Sequence, residues 1–392
     1  MQLKRFSVKG FKNFRQEVVL ENMGDICVIH GENNVGKSNV LEAMELFFVL
    51  SNNYGINGYD NITQYPFERK IFTFGLNNPI NMSVTLNCED DIDVTLDISI
   101  PNDDNFSIAE ITDNSQSDIQ NSCLTDFQQK RFALIGVDRQ INDAETEKER
   151  CIVPQSLLLQ LHDIKDSPEP TVFDKWELFV ITLQKFQDIL GEGEFISVFE
   201  RESNRANLVF QPAIKPRRRI PIEILGSGIQ QVIALIARLL ISDADFIAIE
   251  EPELNLRYSL QLRLRDILEE IVKAPVGPQQ IFLTSHSPAF EFGKHFYAMK
   301  ATDEGPIIEH RPVEQAHLFT EHNVINSNII GKTASQCYVS SDGLVKLPED
   351  ICKELGIEQG GGIIPLKRKD TNHIELLTNE QFIDLLEPIT DE

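Results

Sequence analysis

Apolar and polar positions alternate over the first thirty residues as in a β-hairpin that leads into a buried strand. "KRFSVKGF" and "EVVLENM" each carry one apolar face, and "DICVIH" is a nearly unbroken apolar run. From Ser38 the period changes: Val40, Met44, Phe47 and Phe48 fall on one stripe of a helix. A loop at 51–63 precedes two more alternating stretches, "NMSVTLNC" and "DIDVTLDISIP", with an acidic turn between them. Residues 101–130 are polar and read as partly disordered, and "RFALIGVD" reads as a strand. "VPQSLLLQLHDI" and "FDKWELFVITLQKFQDIL" have three-to-four spacing and predict a helical insertion at about 141–200. "NRANLVFQP" returns to strand, and the basic link "KPRRR" follows. Between 225 and 290 helix and strand alternate, which is the pattern of an α/β sheet. Composition shifts near 326–336, and the residues beyond predict a small strand–turn–helix–strand unit.

Composition narrows the class. The 392 residues are 41% hydrophobic, ordinary for a globular protein. No apolar run reaches the roughly 18–20 residues of a spanning helix, so no membrane partner is expected. The six cysteines (27, 88, 123, 151, 337 and 352) are scattered and read as reduced, which predicts a cytoplasmic protein. A net charge of −25 argues against a surface that grips nucleic acid everywhere. The charge is uneven, however. Residues 71–129 hold eleven Asp and Glu and no Lys or Arg, whereas the first twenty hold Lys4, Arg5, Lys9, Lys12 and Arg15 against Glu17. Any DNA contact is therefore local.

Residues 31–38, "GENNVGKS", fit G-x-x-x-x-G-K-[ST]. Glycines at Gly31 and Gly36 let the backbone curl so that its N–H groups face phosphate oxygens. Lys37 brings a point charge to the β- and γ-phosphates, and the Ser38 hydroxyl is a ligand for Mg²⁺. The helix that follows aims its N-terminus at the anion. The ATP-contacting set is then Gly31, Asn33, Asn34, Val35, Gly36, Lys37, Ser38 and Asn39. "ADFIAIEEPELNL" supplies acids at the end of an apolar strand: Glu250 to hold Mg²⁺ and Glu251 to polarise the attacking water. A third strand, "QQIFLTSHSPAF", ends at His286, a candidate to contact the γ-phosphate or that water. "ILGSGIQQVIALIARLL" places Gly226, Ser227 and Gly228 before another amphipathic helix. One nucleotide does not need two such helix starts in one subunit, so this one is read as serving a second subunit's γ-phosphate.

In this order the motifs "FKNFR", "GENNVGKSN", "LGSGIQQ", "IEEPELNL" and "LTSHSP" resemble the ABC-type ATPase heads of the SMC, RecF and OLD class, over roughly residues 1–310. The resemblance implies a P-loop ATPase head with an antiparallel β lobe, Ser227 and Gly228 as signature contacts made in trans, and Glu253 to Asn255 as the D-loop. It implies Glu251 as the catalytic glutamate, His286 as the switch and Gln140 as the Q-loop glutamine. Long coiled coils and a zinc hook are absent, and residues 300–392 show no paired D-x-D with an upstream glutamate, so no nuclease is expected in this chain. The segment 336–392, with "GLVKLPEDICKELGIEQGGGIIPL", resembles the swapped-hairpin domain of AbrB and MazE-type regulators. It holds five Lys and Arg against twelve Asp and Glu, so dimerisation or protein docking is favoured over DNA binding. The expected organisation is an ATPase head at 1–325 and a dimerisation or docking unit at 336–392.

The leading expectation is an ATPase that dimerises around ATP and Mg²⁺, as a homodimer or larger homo-oligomer. It would act as the sensor of an anti-phage defence or DNA-maintenance system, with a separately encoded nuclease or toxin as effector. Two alternatives stay open. One is a RecF-like repair ATPase that grips DNA through Lys4–Arg15 or Arg217–Arg219. The other is a regulator whose C-terminal unit neutralises a toxin.

Overall fold

The computed structural model describes residues 1–53, 79–88, 92–101, 110–136, 153–215, 218–291 and 293–311. Beyond these it describes short stretches at 324–327, 332–335, 338–339, 345–346, 353, 355–356, 363–367, 374–378 and 381. The chain divides into two units, Met1–Glu314 and Gln315–Glu392.

The first unit opens with β1 (Gln2–Lys9), β2 (Val18–Leu20), β3 (Ile26–His30) and α1 (Lys37–Asn53). β4 (Ile80–Asn87), β5 (Asp93–Ile100), β6 (Glu110–Asp113), α2 (Asp118–Phe127) and β7 (Phe132–Ile135) follow. Next come α3 (Gln155–Lys165), α4 (Pro170–Leu183), a 3₁₀ turn, α5 (Gln187–Leu190), β8 (Gly193–Glu200), β9 (Arg205–Pro212) and β10 (Ile220–Pro221). α6 (Ser227–Ile241), β11 (Phe246–Glu250), α7 (Tyr258–Lys273), β12 (Gln280–Ser285), β13 (Phe296–Lys300) and β14 (Ile307–His310) complete it.

Two sheets carry the unit. The first is antiparallel, in the order β2-β1-β4-β5-β6. The alternation seen in the sequence is its cause: β4 and β5 bury every second residue and leave the other face to solvent or partial cover. The second has the order β14-β13-β3-β12-β11-β7, parallel throughout except at the edge strand β14. β12 is buried at all six positions, as a strand covered on both faces must be, which explains its nearly continuous apolar run. One apolar core joins the sheets through α1, from Leu3, Phe6 and Val8 to Phe246 and Phe282. Within it Phe48 stacks on Phe132 at 4.9 Å and lies 5.2 Å from Phe246. α3, α4 and the β8–β9 hairpin form a lobe against α6. No helix among the described residues is long and apolar enough to cross a membrane.

Two expectations change here. The polar stretch 101–130 contains β6 and α2, and α2 seats Cys123, Leu124 and Phe127 in the core. Cys88 and Cys123 are disulfide-bonded, not reduced, because α2 packs on β5 and brings positions 35 apart to a Cα separation of 5.9 Å. Among the described residues Cys27 is a buried free thiol.

In the second unit the described residues form three two-stranded antiparallel ladders. They are β15 (Val324–Ser327) with β16 (Lys332–Ser335), β17 (Tyr338–Val339) with β18 (Val345–Lys346), and β19 (Ile363–Lys367) with β20 (Ile374–Thr378).

Candidate active site

β3, β12 and β11 lie side by side and parallel, so the segments that leave their C-terminal ends share one edge of the sheet. That is the edge at which open α/β sheets carry ligands. The glycine loop leaves β3, Glu250 and Glu251 follow β11, and Ser285 and His286 follow β12. Gly136 extends β7 on the other side, where a Cβ would lie 3.5 Å from Glu250 Oε2.

The loop between β3 and α1 turns through left-handed residues, Asn34 at φ +66° and Gly36 at φ +109°. Asparagine tolerates that conformation, and at Gly36 a Cβ would meet the Asn13 amide at 2.8 Å. α1 starts at Lys37 with no acidic residue in its first turn, so nothing there neutralises the positive end of the helix. Lys37 is buried, and its Nζ donates to the Gly31 and Glu32 carbonyls at 2.9 and 2.8 Å. Burial lowers the pKa of Lys37, while the charges of Glu251 and Glu253 push it back up. Asn33 and Asn34 are exposed on the loop, Val35 is buried beneath it, and Ser38 and Asn39 are half-buried at the helix start.

Glu251 takes a left-handed φ of +40°, which costs a non-glycine residue of order 1–3 kcal/mol. Its N–H donates to the Thr284 carbonyl at 2.9 Å and lies 3.3 Å from Thr284 Oγ1, so the next strand holds the strained residue in place. His286 Nδ1 lies 3.7 Å from Glu251 Oε1 and 3.2 Å from Glu253 Oε1. Glu253 itself is 3% exposed, and the same Oε1 accepts from Ser285 Oγ at 2.7 Å and His286 N at 2.8 Å. Asn255 is exposed at φ +60°.

The structure thus gathers Lys37, Glu251, Glu253 and His286 at one edge. Gln140 lies outside the described residues. Gly226 caps α6, and Ser227 is its first residue; both are exposed. The two glycines beside Ser227 differ. A Cβ at Gly228 would come within 2.9 Å of Leu260 Cδ1 on α7, so a larger residue there requires that side chain to shift. At Gly226 a Cβ would meet nothing within 4 Å, and its φ of −59° suits any residue.

Sequence reasoning missed Asn13. Its Nδ2 donates to the Val35 carbonyl at 3.3 Å, and its Oδ1 accepts from Asn39 Nδ2 at 2.7 Å, so it ties the loop to the start of α1. The "FKNFR" motif was the available signal. It also missed that the basic first strand is largely spoken for. Lys4 pairs with Asp93 at 3.0 Å, Arg5 with Glu17 and Glu21 at 3.4 and 3.9 Å, and Lys12 with Glu42.

This architecture has known counterparts. The chain is 16% identical to an SMC head bound to the C-winged helix domain of ScpA, with a TM-score of 0.50 over 81% of this chain and 99% of that one. A second structure, the SMC head domain from Thermotoga maritima, aligns with a TM-score of 0.48 and 14% identity over 80% of this chain and all of its own. Among curated proteins, an ATP/GTP phosphatase of Helicobacter pylori (strain ATCC 700392 / 26695) is 21% identical over 322 residues, which is 72% of this chain and 85% of that protein. A family model matches residues 26–290, from the strand before the glycine loop to the turn after His286. With that match spanning well over half of its length, the chain belongs to the family described as AAA domain, putative AbiEii toxin, type IV TA system.

Proposed function

We propose that the protein is an ATPase that hydrolyses ATP between two copies of itself and serves as the sensor of a defence or DNA-maintenance system with a separately encoded effector. The observation that carries the reading is the convergence of Lys37, Glu251 and His286 at the C-terminal edge of adjacent parallel strands. The donors present fit a nucleotide. A buried ammonium at an acid-free helix start suits a polyphosphate, and a hydroxyl with a carboxylate suits a hard divalent cation. Lys37 and the loop Gly31–Asn39 would hold the phosphates, and Ser38 and Glu250 would hold Mg²⁺. When bound, that cation neutralises charge that develops on the phosphate oxygens. Glu251 orients and deprotonates the attacking water, and His286 stands within reach of the same carboxylate.

Gly226 supports the composite site. It is exposed, with open space around it and an ordinary φ, which leaves the helix start open to a second copy. The resemblance to SMC-type heads points to that copy's nucleotide. The relative named ATP/GTP phosphatase is consistent with hydrolysis, and the family description, a putative toxin of a type IV system, with a two-gene setting. A head at 1–325, a dimerisation or docking unit at 336–392 and a cytoplasmic location belong to the same reading. For the RecF-like alternative, the acids around β1 already pair with Lys4, Arg5 and Lys12, which leaves Lys9, Arg15 and the stretch Arg217–Arg219, partly outside the described residues, as its grip.

The test is a pair of variants. Glu251→Gln is expected to bind ATP and accumulate as a dimer on size exclusion, with turnover lowered by two orders of magnitude or more. Ser227→Arg is expected to bind ATP as a monomer and not hydrolyse it. Wild-type turnover by either variant, or a specific activity independent of protein concentration, refutes the composite site.

A further inference from the structure

We propose that Glu253 is the positioning residue of the site: its carboxylate fixes the ring of His286 in the Nδ1-protonated form and leaves Nε2 as the nitrogen that exchanges a proton with the reaction. The inference rests on the ATPase reading above and adds a residue to it. By resemblance Glu253 belongs to a loop that contacts a second subunit, yet its side chain is turned inward and is buried in its own chain.

Three observations converge on it. First, one oxygen, Oε1, gathers the hydroxyl of Ser285, the backbone N–H of His286 and, at 3.2 Å, the imidazole Nδ1. A carboxylate oxygen at that distance from a ring nitrogen favours the tautomer that carries its proton there, on Nδ1. Second, Oε2 is buried and meets no hydrogen-bond donor among the described residues. A buried carboxylate with one oxygen unsatisfied is costly. A glutamine would keep the acceptor for Ser285 and the His286 N–H without burying a charge, so a role for the negative charge itself accounts for the glutamate. Third, the acids that face His286 are Glu251 and Glu253, on the single turn after β11, and Lys37 interacts electrostatically with both. Glu251 is half-buried and strained, as a group aimed at substrate is. Glu253 is buried beside Nδ1, where it can orient the imidazole without touching substrate. Such partners of a reacting histidine set its tautomer.

The experiment uses the full chain. Glu253→Gln keeps the acceptor for Ser285 Oγ and His286 N and removes only the charge. Its kcat for Mg·ATP is expected to fall about 10- to 100-fold, with KM and nucleotide affinity changed by less than about twofold and the unfolding midpoint not lowered. The double variant Glu253→Gln/His286→Gln is expected to be no slower than His286→Gln alone, because the carboxylate acts through the ring. ¹⁵N-histidine spectra of the wild type at pH 8.5, with His286 assigned by its loss in His286→Gln, are expected to show a protonated Nδ1. Turnover by Glu253→Gln at the wild-type rate overturns the proposal. So do losses that multiply in the double variant, or a wild-type His286 with its proton on Nε2. The spectra decide even if Glu253→Gln fails to fold. A wild type that hydrolyses no nucleotide refutes the ATPase reading instead, and the tautomer still reports on the contact.

Discussion

Asn13 braces the glycine loop from outside the motif that defines it. Its amide spans Val35 and Asn39, so the turn at Gly36 is set before any phosphate arrives. Each such hydrogen bond is worth about 1 kcal/mol. Asn13→Ala is therefore expected to weaken ATP binding by up to roughly 5- to 30-fold, the equivalent of about 1–2 kcal/mol, with little change in kcat at saturation. Titration with a fluorescent ATP analogue checks this. Cys27 gives a second residue-scale prediction. Burial pushes its thiol from 9.0 up to about 12, with the nearby Asp25 charge adding to the rise. A folded-state value above the unfolded one means that the neutral thiol's contribution is complete below pH 9 and is lost as pH rises towards 12. Over that interval this one group makes stability fall by at most about 1.4 kcal/mol per pH unit. Cys27→Ala should remove that slope from the difference between the two denaturation series. At this scale the places of Lys37, Ser38, Glu250, Glu251 and His286 at a helix start or a strand end were legible, because each sits in a local motif or closes an apolar run. Asn13, Thr284 and the inward turn of Glu253 were not. Their meaning lies in partners 22, 33 and 32 positions away, and spacing along the chain does not report such contacts.

Among the elements, the buried strands β3, β11 and β12 were the easiest to read, since unbroken apolar runs have few other uses. α2 was hidden by the opposite property. It turns only Cys123, Leu124 and Phe127 into the core, and the rest of its surface is polar except for the exposed Ile119. Its start did carry a signal: Ser117 caps the Gln120 N–H at 3.3 Å, and Gln120 Oε1 returns to the Gln116 N–H at 2.7 Å. The bond from Cys123 to Cys88 ties this helix to the end of β4. Closing a loop of 35 residues is worth roughly 3–4 kcal/mol in the chain-entropy account. Thiol reductants are therefore expected to speed hydrogen exchange in α2 first, with β11 and β12 unaffected. Uniform acceleration across the unit would show that the bond supports the whole core instead. Since cytoplasmic thiols oppose disulfides, turnover is best measured in both redox states.

Over the whole molecule the charge pattern acquires a second meaning. A net −25 with a cluster of cations at the start of the chain had left room for a nucleic-acid grip. Folding instead draws Asp93, Glu17, Glu21 and Glu42 around β1 and its turn, so much of that positive charge is consumed within the lobe. The α/β sheet was legible from the alternation of helix and strand between 225 and 290, and the antiparallel lobe from the resemblance, but the polar part of the join between the sheets was not. It is made by Gln280, fully buried at the first position of β12. Its amide accepts from Leu3 N at 2.7 Å and donates to the carbonyls of Leu3 and Gly24 at 3.1 and 2.9 Å. Gln280→Leu removes all three bonds, with Cys27 Sγ left as a donor to the Gly24 carbonyl; at about 1–3 kcal/mol for each buried group left unpaired, it is expected to lower the unfolding free energy by roughly 2 kcal/mol or more in chemical denaturation.

The same amide has a mechanical consequence. β12 is a six-residue bar about 20 Å long, tied at one end to β1 through Gln280 and carrying Ser285 at the other, one residue before the histidine. A displacement of β1 would therefore bear on the strand that holds the imidazole.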